Sequence, residues 1–149
     1  KFGSQCVVVA IDAKKRADGG GWNIYKNGGR VDMGMDAVEW ARQGEALGAG
    51  EICVNSIDND GTHQGYDLEI TKLVSDAVNV PVIASGGAGV PSHLTDVFTK
   101  TGASAGIISS MLYSPRIARN YTVQEIKEEL LASGIPMRPY RDYGKEVGA

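Results

Sequence analysis

Four short, β-branched apolar runs recur along the chain, and each stops at polar or glycine-rich residues. They are CVVVAI at 6–11 before Asp12, EICV at 51–54 before Asn55, VPVIA at 80–84 before Ser85, and AGII at 105–108 before Ser109. Runs that are continuous rather than alternating mark parallel strands buried on both faces. Stretches with helical spacing follow them at 36–47, 66–78, 91–100 and 122–132. The first is stopped by Gly48, the third opens on Pro91, and the last ends before Gly134. The order is βαβαβαβα, an α/β fold with a parallel sheet and right-handed crossovers. It is either an open doubly wound sheet or part of a (β/α)8 barrel.

The segment 22–33 (WNIYKNGGRVDM) interrupts the first β-to-α connection, and Asn27-Gly28-Gly29 between two alternating runs signals a hairpin. Residues 1–132 are thus expected to form four βα units with this excursion, and 133–149, rich in Pro, Arg, Tyr and Gly, to form a tail. The net charge of −3 provides no basic field for a nucleic-acid backbone or an anionic membrane, so any anion site must be local. Cys6 and Cys53 each lie inside an apolar run and read as small buried hydrophobes. No apolar run is long enough to span a membrane and no secretory leader opens the chain, which points to the cytoplasm. The start, Lys-Phe-Gly-Ser-Gln, has no initiator Met and reads as an entry in mid-protein.

In a parallel α/β fold the carboxyl ends of the strands face the ligand. Ser85-Gly86-Gly87-Ala88-Gly89 precedes a helix, and Ser109-Ser110 precedes a short helical turn at 111–113. Glycine lets backbone N–H groups approach an anion, so the two loops together suit a phosphate or sulfate ion without any lysine. Asp12, placed after a buried strand at that edge, would be partly desolvated, as a general acid or base is; its structural alternatives are a turn cap or a pair with Lys14 or Lys15. DNDG at 58–61 resembles the opening of a calcium loop without completing it. His63 and His93 have no partner at metal-ligand spacing and read as ordinary loop and helix-start residues. No metal and no organic cofactor are expected.

Five linked motifs, FGSQCVVVAIDAK at 2–14, GAGEI at 48–52, SIDNDGT at 56–62, GYD at 65–67 and IASGGAG at 83–89, resemble in order and spacing the C-terminal half of the cyclase subunit of imidazole glycerol phosphate synthase. The resemblance extends to about residue 132. It implies a (β/α)8 barrel of histidine biosynthesis, a lyase. With ammonia from a glutaminase partner, that family converts a phosphoribulosyl-formimino aminoimidazole carboxamide ribonucleotide into imidazole glycerol phosphate and an aminoimidazole carboxamide ribonucleotide. By resemblance Asp12 is one of two catalytic aspartates. Asp60, Gly61, Ser85, Gly87 and Ser110 surround one substrate phosphate, with Gly86 and Ser109 of the same loops as further phosphate- or substrate-binding candidates; Asn55 takes a pocket position where the family often has Thr, Ile108-Ser109 stand where it often has Ala, and Glu51 belongs to the gate through which ammonia enters.

The resemblance also implies a missing half, because a whole barrel takes ~250 residues and nothing here matches the family's first catalytic aspartate. An open half-barrel leaves unpaired edges and an apolar inner face, which two copies could close as an eight-stranded homodimer. An N-terminal half-barrel or a glutaminase subunit are the other partners implied. The alternatives to ammonia-dependent cyclisation are a non-catalytic phosphate-binding half-barrel and the sister isomerase of the same pathway.

Overall fold

Among the described residues, each of the four helices of ten residues starts where a side chain or a proline satisfies its first turn. In the computed structural model, which describes residues 2–140, Asp36 accepts from the N–H groups of Val38 and Glu39 and opens α1 (Ala37–Ala46). Asp67 accepts from Ile70 N–H and opens α2 (Leu68–Ala77). Pro91 begins α3 (Pro91–Lys100). The single-turn α4 (Ser110–Tyr113) follows, and a Thr122–Glu125 capping box opens α5 (Val123–Ala132).

The strands are β1 (Val8–Lys15), β2 (Trp22–Lys26), β3 (Val31–Asp36), β4 (Glu51–Ser56), β5 (Val82–Ser85) and β6 (Ala105–Gly106). They form one sheet in the order β3-β2-β1-β4-β5-β6. β1, β4, β5 and β6 pair in parallel, whereas β2 and β3 form an antiparallel hairpin on the outer edge of β1. The architecture is α/β, an arc of parallel strands with helices, as in part of a TIM barrel. The excursion at 22–33 is therefore part of the sheet rather than a loop beside it. Asn27, with φ of +58°, and the glycines after it make its turn.

The structure corrects the strand limits. β1 begins at Val8 because Ser4–Cys6 form a 3-10 turn closed by Cys6 N–H to Gly3 O. It runs on to Lys15 because Ala13 and Lys15 pair with Ile24 and Trp22. Asp12 thus lies inside the strand, not after it. Cys6 is exposed, contrary to its reading as a buried hydrophobe, while Cys53 is buried. The tail at 133–149 falls outside the described residues from 141 onward.

Alternation along each strand sorts the two sheet faces. Ile11, Ala13, Ile52, Val54 and Val82 pack beneath Ala37 and Ala41 of α1 and Ile70 and Val74 of α2. Ala84 joins Leu94 and Val97 of α3 and Ile126 and Leu130 of α5 in a second cluster. The opposite face carries Val8, Ala10, Cys53, Ile83, Ala105 and Ile107, and there Val8 and Ile107 remain 48% and 47% exposed. The helices cover one face only, so the concave face is open. Among the described residues no helix is long and apolar enough to cross a membrane.

Candidate active site at the strand carboxyl ends

Parallel register lines up Asp12 with Asn55 and Asn55 with Ser85, a polar row across three strands on the open face. Asn55 Nδ2 donates to Asp12 Oδ1 at 3.0 Å. On the other side Asp12 stands opposite Tyr25 of β2. Neither structural alternative for Asp12 holds. It caps no helix, and Lys15 Nζ pairs with Glu69 at 2.9 Å while Lys14 Nζ lies 5.8 Å from the Tyr25 ring centroid. Among the described residues no cation stands within ion-pairing distance of Asp12. One carboxylate oxygen is held by a neutral donor, an arrangement in which the group can still give or take a proton.

Below this row sit Ala10, Cys53 and Ile83, and below them Val8 and Glu51. Burial, and the negative charge of Asp12 above it, push the Cys53 thiol up. Glu51 opens β4 on the same face as Asn55, at the opposite end of the strand. Four residues of rise separate the two by about 13 Å.

A second site lies beside the row. Asp60, Gly61, Ser85, Gly86, Gly87, Ser109 and Ser110 line one cleft of about 150 Å³, together with His63, Ala88 and Ile107. Of the sequence-assigned binding residues only Asn55 stands outside it, next to Asp12. The cleft exists because the β4–α2 and β5–α3 loops touch. Gly65 N–H donates to Gly87 O at 2.8 Å, and Asn59 Nδ2 donates to Gly65 O at 2.9 Å. A Cβ on Gly87, where φ is +99°, would lie 2.0 Å from Gly65 O, so only glycine fits. The glycine-rich run therefore serves loop docking as much as access for an anion.

Sequence reasoning missed three contributors. His63, read as an ordinary loop residue, lines the cleft and contacts Ser110 Oγ at 2.9 Å through Nε2. His93, read as a plain helix start, accepts from Gly89 N–H at Nδ1, 3.1 Å away, and burial pushes its pKa down. Asp67 does more than cap α2: Ser56 Oγ at 3.2 Å and Trp22 Nε1 at 3.3 Å both donate to its Oδ2. A histidine at the tip of an Asx-rich strand-to-helix loop was the one available signal for His63. Among the described residues no group of three His, Cys, Asp or Glu is placed to hold a metal ion.

Comparison with known proteins matches residues 1–118 to the model of a family described as "Histidine biosynthesis protein". "Imidazole glycerol phosphate synthase subunit HisF" of Clostridium botulinum (strain Langeland / NCTC 10281 / Type F) is 53% identical over 137 residues, covering 92% of this chain and 53% of that protein. The protein of the same name from Lachnoclostridium phytofermentans is 54% identical over 138 residues, covering 93% of this chain and 52% of its own length. The chain spans about half the length of the curated relatives it matches.

Proposed function

Because this chain belongs to the histidine biosynthesis protein family, we propose that it is the C-terminal half of an imidazole glycerol phosphate synthase cyclase. In this reading the concave face is the half-lining of a barrel, and its carboxyl-end row is the catalytic floor. Asp12 acts as general acid and base in the ammonia-dependent ring closure, held in place by Asn55. The cleft formed by Gly61, Gly87 and Ser110 holds one phosphate of the ribonucleotide substrate. Ammonia enters at the other end of the strands, past Glu51. The reaction site is cytoplasmic and needs no metal or organic cofactor.

The observation that carries this reading is the juxtaposition of Asp12, hydrogen-bonded to Asn55, with a cleft made of two glycine-rich strand-to-helix loops. Acid–base group and anion cradle sit along one sheet edge, as a phosphorylated substrate requires. The open concave face, with Val8 and Ile107 exposed, supports a complementary half-barrel as partner. That partner is either the N-terminal half of the cyclase or a second copy about a two-fold axis, in which case two Asp12 residues share one mouth. Sedimentation distinguishes them, since a monomer at micromolar concentration argues against self-closure.

The activity is tested by incubating the purified chain with substrate and ammonium salt, alone and mixed with an N-terminal half-barrel. Ammonia-dependent release of imidazole glycerol phosphate from the mixture or from the chain alone is the expected result. Phosphate binding without turnover in either case would favour a non-catalytic half-barrel, and isomerisation without ammonia the sister enzyme.

A further inference from the structure

His63 stands between two clefts. Gly61, Gly87 and Ser110 lie on one side, and a second cleft of about 320 Å³, bordered by Arg116 and Arg119, lies on the other. Its backbone has φ of +59°, unusual for a residue with a side chain. The β5–α3 loop holds it there: a Cβ on Gly89 would come within 2.5 Å of His63 O and 2.7 Å of His63 Cβ. The imidazole is fixed with Nε2 at 2.9 Å from Ser110 Oγ.

A hydroxyl has one hydrogen, and the state of His63 decides where it points. Protonated imidazole can only donate, so Nε2–H points at Ser110 Oγ and the hydroxyl hydrogen is free for an anion in the cleft. Neutral imidazole with its proton on Nδ1 accepts at Nε2, takes that hydrogen, and leaves oxygen lone pairs facing the anion; the neutral form protonated on Nε2 donates as the cation does but lacks its charge. The cation also brings positive charge to a cleft that holds no lysine or arginine.

We propose that His63 couples proton uptake to phosphate binding, so that the Ser110 cleft holds an anion most tightly when His63 is the imidazolium. This rests on the reading of that cleft as a phosphate site. The charged and titratable groups around His63 act in known directions. Asp60, in the same cleft, favours the imidazolium and opposes a bare anion. Arg116 and Arg119, across the second cleft, oppose the imidazolium, although Arg119 is paired with Glu125. His93, bonded to Gly89 N–H, has its pKa held down by burial and so stays neutral to lower pH than an ordinary histidine.

The test uses sulfate, which stays doubly charged across the range, titrated into the full chain with amide resonances of Gly61, Gly87 and Ser110 as the readout. Between about pH 5.5 and 8.5 the dissociation constant should rise roughly tenfold in the wild type and stay within about twofold in His63→Gln. His63→Asn, whose side chain suits the same backbone region, serves if His63→Gln fails to fold, and should be equally flat. A His63 variant that keeps the wild-type pH dependence, or a flat wild type, overturns the proposal while leaving the phosphate reading intact. Sulfate that moves none of those resonances at any pH overturns both.

Discussion

Asn55 Nδ2 lies 3.0 Å from Asp12 Oδ1, across two strands whose parallel register sets the residues side by side. The hydrogen bond orients the carboxylate without neutralising it, since no cation competes for the group among the described residues. A bond to a charged group contributes about 1.5–3 kcal/mol. Asn55→Ala is therefore expected to lower kcat of the reconstituted barrel about 10- to 100-fold and to cost up to about 2 kcal/mol of stability. Steady-state kinetics and a thermal melt check the two halves of this expectation.

Gly87→Ala should open the anion cleft. Its Cβ would collide with Gly65 O at 2.0 Å, and the backbone has φ of +99°, so the two loops must separate or the backbone must strain. The expected cost is about 2–4 kcal/mol of stability together with loss of sulfate binding, measured by chemical denaturation and by titration.

Asp67→Ala should be among the more damaging surface-accessible changes. It removes the cap of α2 and leaves Trp22 Nε1 and Ser56 Oγ, both on buried residues, without their shared acceptor. Loss of a cap costs about 1 kcal/mol and an unsatisfied buried donor about 1–3 kcal/mol, so a loss near 3 kcal/mol is expected by urea unfolding.

At acid pH the C-terminal helix should weaken first through Glu125. The Thr122 backbone N–H, then its hydroxyl, holds the Glu125 carboxyl below the usual glutamate value. A carboxyl whose folded pKa is depressed stabilises the fold above its unfolded pKa and ceases to do so as pH falls through the folded one. The difference in melting temperature between wild type and Glu125→Gln should thus be constant near neutrality and shrink below about pH 4.5.

The alternation of strand and helix was legible because buried parallel strands leave continuous apolar runs, and the helix starts because Asp36, Pro91 and Thr122 act within one turn of themselves. The limits of β1 were not. Its extension to Lys15 depends on pairing with Trp22 and Ile24, and the exposure of Cys6 depends on a turn at Gly3 that no periodicity reports. The glycine-rich loops at 61 and 85–89 could be located from sequence, but not that Gly87 and Gly89 seat the neighbouring loop. His63 escaped for that reason: its contact with Ser110 spans 47 residues and exists only once those loops dock.

The central claim is that Asp12 performs the acid–base step. The direct measurement is kcat for ammonia-dependent formation of imidazole glycerol phosphate by the chain mixed with an N-terminal half-barrel, wild type against Asp12→Asn. General acid–base catalysis contributes about 10²–10⁴-fold. The account predicts a fall in kcat of at least about 100-fold with KM and sulfate affinity little changed; an Asp12→Asn mixture that turns over at the wild-type rate would contradict it.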